Sequence, residues 1–213
     1  MAGDNSHNSR PFRVLFLGSK DAGLQTVVMN IIRSVSDSDD FTHPEAFTFS
    51  SCGKSVELLV GTDDVCLATS NTVVLSSCDA VVYTFSLSDK SSFDLLKSFT
   101  RDVERAREHI PIPTILLGVS GVGRGERVVS AEDANSFSQV IGTRYFEAEL
   151  QSGHILMACI EDLIKSIPVT LSQKDQGKRD SKTLGLFARI SKKVFDSGKV
   201  AARPRSSSGS SKS

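Results

Sequence analysis

Cysteine is sparse in this sequence, and what there is lies scattered: Cys52, Cys66, Cys78 and Cys159 show no Cys-x-x-Cys spacing and no paired histidines. That argues against a disulfide framework or a metal site, and predicts small core residues of a reduced, intracellular protein, nuclear or cytoplasmic. Histidine is equally thin. His7, His43, His109 and His154 are expected at the surface or at helix ends rather than as bases or ligands. No Ser/His/Asp or Cys/His arrangement suggests hydrolysis. No apolar run approaches membrane-spanning length, and the start, Met1 to Arg10, is polar and lacks the core of a signal peptide.

With 213 residues and 39% hydrophobic content, the chain can bury one good core, so one domain with tails is expected. Its 25 basic and 25 acidic residues cancel only as a sum. Residues 173–213 hold 11 Lys/Arg and 3 Asp/Glu, a net of +8, which leaves 14 and 22, a net of −8, in residues 1–172. An acidic body carries a basic tail.

The stretch Arg13-Val-Leu-Phe-Leu-Gly18-Ser-Lys-Asp-Ala-Gly23-Leu-Gln-Thr26 organises the rest. An apolar run ends in Gly18, Gly23 follows, and Val27, Val28, Ile31, Ile32 and Val35 then recur with helical spacing. Strand, tight loop and helix in that order are the setting of a phosphate-binding loop. Its chemistry requires Gly-x-x-x-x-Gly-Lys-Ser/Thr, because the ammonium reaches the terminal phosphates and the hydroxyl ligates Mg²⁺. Here Leu24 stands in the lysine's place and Gln25 in the hydroxyl's, with Lys20 and Thr26 as the nearby substitutes.

Further along, Ala46–Ser50 and Ser55–Val60 read as a hairpin joined through Cys52-Gly-Lys54, with the glycine supplying positive φ. Asp79–Phe85 and Thr114–Leu117 are continuous apolar runs of the kind buried on both faces. Between them Ser88-Asp-Lys-Ser-Ser begins a helix with Phe93, Leu96, Phe99 and Val103 on one side. Its last turn holds Arg105 and Arg107 on the favourable end of the dipole, and Pro111 and Pro113 close it. Ser130-Ala-Glu-Asp133 opens a helix through Val140, Arg144–Glu147 makes a short strand, and Ile155–Ile167 is an apolar-striped helix. Gly118 to Gly125 reads as a flexible loop whose Arg124 contacts a partner, and Asp63-Asp64 as a solvated loop. Strands alternating with helices predict a mainly parallel α/β sheet, with any ligand crevice at the carboxyl ends of the strands.

The Gly18/Gly23 loop, Asp79-Ala-Val-Val-Tyr-Thr-Phe-Ser-Leu-Ser-Asp-Lys-Ser-Ser-Phe93, Ile115-Leu-Leu-Gly118, Arg127-Val-Val-Ser-Ala-Glu-Asp-Ala134 and Tyr145-Phe-Glu-Ala148 resemble a Ras-superfamily small G protein. The resemblance covers about residues 12–168. It implies a three-layer, P-loop-NTPase-like domain whose six-stranded, mostly parallel sheet has one antiparallel edge strand.

The family's functional motifs fail when carried over. The magnesium-linked Asp-x-x-Gly falls on Val60-Gly-Thr-Asp63, and the guanine-reading Asn-Lys-x-Asp on Val119-Ser-Gly-Val122. Val122 cannot accept the hydrogen bonds that a carboxylate takes from guanine. The Ser-Ala-Lys segment falls on Glu149-Leu-Gln151, Glu45 stands where the first switch needs a threonine, and Pro44–Val60 is short enough to leave little switch. Each lost charge-assisted contact is worth roughly 1.5–3 kcal/mol, so four remove on the order of four to eight decades of affinity. No bound nucleotide, metal or other cofactor is therefore expected.

From Lys174 the composition turns to Lys, Arg, Ser and Gly. Leu184, Phe187, Ile190 and Val194 are spaced three, three and four apart, with Arg189, Lys192 and Lys193 on other faces, which predicts an amphipathic basic helix. The expected organisation is a disordered 1–11, the domain at 12–168, a linker at 169–181, the helix at 182–196 and a disordered, serine-rich 197–213. The four apolar residues are the candidate interaction element. Its target is a protein partner within a larger complex, the acidic body, or, weakly, an anionic membrane; no cysteine near the C-terminus offers a lipid anchor. Nothing signals direct nucleic-acid binding. The expected function is a non-catalytic pseudo-GTPase scaffold. The Gly18–Gln25 loop, Gly121-Val-Gly-Arg-Gly-Glu126 and the missing switches also resemble a nucleotide-free G-protein-like subunit of the inner kinetochore. The alternative is an unconventional Ras-like GTP-binding protein or GTPase in signalling or trafficking.

Overall fold

The computed structural model describes residues 10–36, 47–62, 71–123 and 125–167, with the backbone alone at 71–73. The elements run β1 (Phe12–Gly18), a 3-10 turn at Lys20–Ala22, α1 (Leu24–Val35), β2 (Phe47–Ser51), β3 (Lys54–Gly61), α2 (Asn71–Ser77), β4 (Ala80–Ser86), α3 (Lys90–Asp94), α4 (Leu96–Ala106), β5 (Thr114–Ser120), α5 (Ala131–Val140), β6 (Arg144–Glu149) and α6 (Gly153–Ser166). They form a six-stranded sheet in the order β2-β3-β1-β4-β5-β6. All pairings are parallel except β2 with β3. This is the sheet that the resemblance implies.

The sheet is buried because its strands are apolar on both sides. Every residue of β1 and β4 is buried, as expected for central parallel strands covered by helices. Alternate residues feed two cores. Val14, Phe16, Val82 and Leu117 face α1 and α6, where Val28, Ile31, Ile160 and Ile164 meet them. Leu15, Leu17, Val81 and Leu116 face the other layer, against Phe93, Leu96, Phe99 and Val103. Burying each such side chain contributes about 1.5–3 kcal/mol, which is why β1 needs no polar residue after Arg13.

Helix starts follow the capping logic of the sequence. Asp89 accepts from the amides of Ser91 and Ser92 at 2.9 and 3.2 Å, and Ser130 Oγ accepts from the amide of Asp133 at 3.0 Å. The helix expected after Ser88 is divided at Leu95 into α3 and α4.

Several expectations need correction. The β2–β3 turn places Cys52 as well as Gly53 at positive φ, 51° and 71°, the pattern of a tight two-residue hairpin turn. Cys52 is therefore an exposed turn residue, while Cys78 and Cys159 are buried; Cys66 lies outside the described residues. Strand β5 extends to Ser120 and β6 to Glu149, so Gly118 and Val119 belong to the sheet and the glycine-rich loop starts only at Gly121. Helix α4 stops at Ala106, before either proline, because Glu108 and His109 both adopt left-handed φ. Arg107 does not serve its own helix. It donates to the carbonyls of Ser76 and Cys78 at 2.7 and 3.0 Å, and so places its charge at the end of α2.

At the amino ends of the strands, charge is paired deep in the structure. Arg10 grips Asp79 with two hydrogen bonds of 2.7 Å, the Arg13 amide donates to the same carboxylate at 2.9 Å, and Arg13 Nε meets Glu57 at 2.9 Å. Lys54 Nζ donates to the carbonyls of Ile164 and Ile167 at 2.6 and 2.7 Å, closing the end of α6 against β3.

Candidate functional site

The crevice expected at the carboxyl ends of the strands is built from the β1–α1 loop, the end of β5 and the turn after β6. Gly18 ends β1 in register with Thr84. A Cβ there would stand 2.5 Å from the Thr84 carbonyl oxygen, so only glycine lets the two strands approach. Ser19 is extended, Lys20–Ala22 makes one 3-10 turn, and Gly23 at φ 70° starts α1 in a left-handed conformation. No side chain caps α1. Its first amides point into the loop, the geometry by which a helix start attracts an anion.

The chemistry of the loop differs from its shape. Leu24, at the phosphate-lysine position, is fully buried and belongs to the core between α1 and the sheet. Gln25 is half-buried, and Lys20 and Thr26 are exposed. Val60, at the magnesium-aspartate position, pairs in register with Phe16 and is buried in the same core. Among the described residues no cluster of His, Cys, Asp or Glu is arranged to hold a metal.

On the base side of the crevice, two aliphatic side chains close on the loop. A Cβ on Gly23 would lie 3.0 Å from a Val122 methyl carbon and 3.4 Å from Leu150 Cδ1, so both are packed against that glycine. Both are pinned. Ser88 Oγ donates to the Val122 carbonyl at 3.0 Å, and the Leu87 amide to the Val119 carbonyl at 2.9 Å. Leu150 is held from two sides: its amide donates to the Ser120 carbonyl at 2.9 Å and its carbonyl accepts from Asn30 Nδ2 at 2.6 Å.

Of the residues singled out from sequence, Gly18, Gly23, Leu24, Gln25, Thr26 and Val122 are thus brought to one place. Val119 is not; it is a fully buried sheet residue. Leu150, Asn30 and Ser88 were not foreseen as parts of this site. Leu150 lies within the Glu149-Leu-Gln151 segment, but only the charge of Glu149 draws attention in the sequence; that side chain is exposed and Leu150 does the packing. Glu45, Asp63, Asp64, Arg124 and the tail residues Leu184, Phe187, Ile190 and Val194 lie outside the described residues.

Three hydroxyls at the same end of the sheet are buried without a hydrogen-bond partner: Ser19 Oγ after β1, Thr62 Oγ1 after β3 and Thr84 Oγ1 in β4. Nearby, Arg127 braces the rim by donating twice to Glu147, at 2.9 and 2.5 Å, and the Tyr145 hydroxyl donates to the same carboxylate. The Arg127 hydrogen bonds hold the Glu147 carboxyl below its usual range against the opposing effect of burial, and burial, with the carboxylate's charge, pushes the Tyr145 phenol well up.

Residues 66–169 match the family model described as the Ras family. GTP-binding protein RAD of Mus musculus is 23% identical over 187 residues, covering 84% of this chain and 59% of that protein. Protein ras-1 of Neurospora crassa is 26% identical over 83 residues, covering 39% of each chain. Ras-like protein rasZ of Dictyostelium discoideum is 21% identical over 126 residues, covering 56% of this chain and 59% of that protein. The chain spans between about two and three fifths of the length of these relatives.

Proposed function

We propose that this chain, which matches the Ras family model over residues 66–169 and is weakly similar to Ras-like GTP-binding proteins, is a non-catalytic, protein-interacting module that keeps a small G protein fold for its surfaces. The packing of Val122 and Leu150 against Gly23 carries this proposal. A nucleotide needs a cation over its phosphates and a carboxylate under its base. Here the corresponding side chains, Leu24 and Val122, are aliphatic; Leu24 is buried in the core, and Val122 together with Leu150 packs on Gly23 of the loop. Aliphatic carbon accepts no hydrogen bond, and opening the packing exposes the partly buried Val122 and Leu150, each at a fraction of the roughly 1.5–3 kcal/mol that full burial of such a side chain contributes. The residues present do not fit GTP and Mg²⁺.

A second reading is that the chain binds a guanine nucleotide in an unconventional way, in signalling or trafficking. The relatives favour it, since RAD is named a GTP-binding protein. The three unpartnered hydroxyls of Ser19, Thr62 and Thr84 and the uncapped start of α1 also favour it, because a bound anion would satisfy such groups. The inner-kinetochore role, that of a centromere protein M-like subunit, rests on loop resemblance alone and draws no support from these relatives.

One experiment separates the two. The purified protein is heated and the supernatant analysed for GDP and GTP, and its melting is followed with millimolar GTP and Mg²⁺. The scaffold reading expects no nucleotide and no shift. Stoichiometric nucleotide, or stabilisation of several degrees, overturns it and establishes the second reading.

A further inference from the structure

The opposite end of the sheet holds a different opening. A cavity of about 270 Å³ lies between the end of α4, the segment before β5 and the turn after α5, with Val103, Ile110, Ile112 and Ile141 supplying apolar walls. Among the described residues, Ile110 on its wall is 58% exposed, and Val140, one position before the lining residue Ile141, is 84% exposed. The left-handed pair Glu108 and His109 turns the chain so that Ile110 faces outward rather than into the core. Exposed apolar groups gathered about one cavity form a surface that needs cover.

We propose that this cavity is the docking site of the chain's own basic segment, residues 182–196, with Phe187 and Ile190 as the anchors. Three observations select this occupant. The first is charge. Glu104 lines the cavity and Glu108 follows in the adjoining turn, and neither carboxylate has an ion pair among the described residues. The only guanidinium in the lining, Arg107, is spent on the Ser76 and Cys78 carbonyls. The segment brings Arg189, Lys192 and Lys193 beside its apolar stripe, and the tail's net of +8 answers the −8 of residues 1–172.

The second is reach. Lys54 holds the Ile167 carbonyl beside the start of β3, at the amino ends of the parallel strands. Thr114, which begins β5, lines the cavity at that same end. From β3 to β5 is three strand spacings, about 14 Å, and residues 168–181 can span up to about 46 Å when extended. The linker does not restrict docking.

The third is size. The cavity admits the two anchors of one helix face but no larger element, and the segment's i, i+3, i+6, i+10 apolar spacing presents one such face. Because the ligand is tethered, its local concentration is in the millimolar range, so a weak intrinsic contact suffices. Docking leaves the nucleotide-loop end of the sheet untouched, so it is independent of how that crevice is read.

The test is hydrogen–deuterium exchange on the full chain at low protein concentration. In the wild type, amides of 184–194 should exchange at least about tenfold more slowly than an unstructured peptide. Ile110→Asp and, separately, Val140→Asp should each abolish that protection without lowering the melting temperature. Phe187→Asp/Ile190→Asp should raise exchange at 107–113 and nowhere else in the domain. Unprotected tail amides in the wild type overturn the proposal. So does protection that survives both cavity variants, protection that grows with protein concentration and so reports a second copy, or protection that appears only with anionic phospholipid vesicles.

Discussion

Replacing Lys54 with methionine should cost more than its surface position in a hairpin suggests. The ammonium donates to two carbonyls, those of Ile164 and Ile167, at 2.6 and 2.7 Å, and lies 5.4 Å from the centre of the Phe12 ring. These carbonyls belong to the end of α6, where the dipole places partial negative charge; the Ile164 carbonyl also accepts from the Ile167 amide at 3.2 Å, so the ammonium adds a second, charged donor there. Hydrogen bonds to a charged group contribute about 1.5–3 kcal/mol each when buried. Lys54 is only half-buried, so water replaces part of what is lost, and a net of about 2–3 kcal/mol follows. For a domain of this size each kcal/mol moves the melting temperature by about 2–4 °C, which predicts a fall of about 4–12 °C. Methionine keeps the apolar stem against Phe12, so the loss reports the charge. Urea unfolding should show a lower midpoint with an unchanged slope. A Lys54→Met change within about 0.5 kcal/mol of wild type would show that the carbonyls are satisfied equally well by solvent and refute the reasoning.

Gly18→Ala should destabilise by about 1–3 kcal/mol, because its Cβ would lie 2.5 Å from the Thr84 carbonyl oxygen and neither strand can retreat from the core; a melt within experimental error of wild type would contradict this. Glu147 has its pKa lowered on folding, chiefly by the Arg127 hydrogen bonds, so its contribution is fully present above the ordinary glutamate value, about 4.3, and is lost as pH falls through the lower folded value. Glu147→Gln should therefore lower stability near neutrality and converge on the wild type in acid, so that the acid limb of its stability-against-pH curve is flatter, both read by urea midpoints. Thiol labelling of the native protein should modify Cys52 quickly, while Cys78 and Cys159 react only on unfolding; burial also pushes the Cys159 thiol up, keeping it protonated. Peptide mapping by mass spectrometry distinguishes these three sites from the fourth cysteine, Cys66, which lies outside the described residues.

The sheet was legible because its strands advertise themselves. Runs such as Asp79–Phe85 can be satisfied only by burial on both faces, and Ser130 and Asp89 mark helix starts by a local hydrogen-bond rule that needs no tertiary information. What the sequence concealed depends on distant neighbours. Arg107 reads as a helix-end cation, yet it serves α2, whose carbonyls lie about 30 residues earlier in the chain. Cys52 reads as a small core residue because composition favours that, but a two-residue hairpin requires positive φ at both positions and exposes it. At the crevice the missing lysine and carboxylate could be named from spacing alone. That Leu150 would complete the closure could not, since it depends on Asn30 and Ser120 holding its backbone in place.

The closed crevice also bears on how this domain is stabilised. A protein that binds a nucleotide tightly draws stability from it in proportion to RT ln(1 + [L]/Kd), about 4 kcal/mol at a thousandfold excess over Kd, and unfolds more readily when the ligand is withdrawn. A chain whose loop is covered by Val122, Leu150 and the buried Leu24 carries that stabilisation internally, in aliphatic contacts worth about 1.5–3 kcal/mol per side chain. On the scaffold proposal, its fold is constant across nucleotide concentrations and the proposed interaction surface is displayed whether or not nucleotide is present. Polar groups such as Ser19 Oγ and Thr84 Oγ1 remain buried without a hydrogen-bond partner at a cost of about 1–3 kcal/mol each. Ser19→Ala and Thr84→Val, which delete those groups with little change in volume, should therefore leave the scaffold as stable or more so. If a guanine nucleotide normally satisfied the hydroxyls, the same two changes would weaken the bound protein instead, and the sign of the change in melting temperature decides between them.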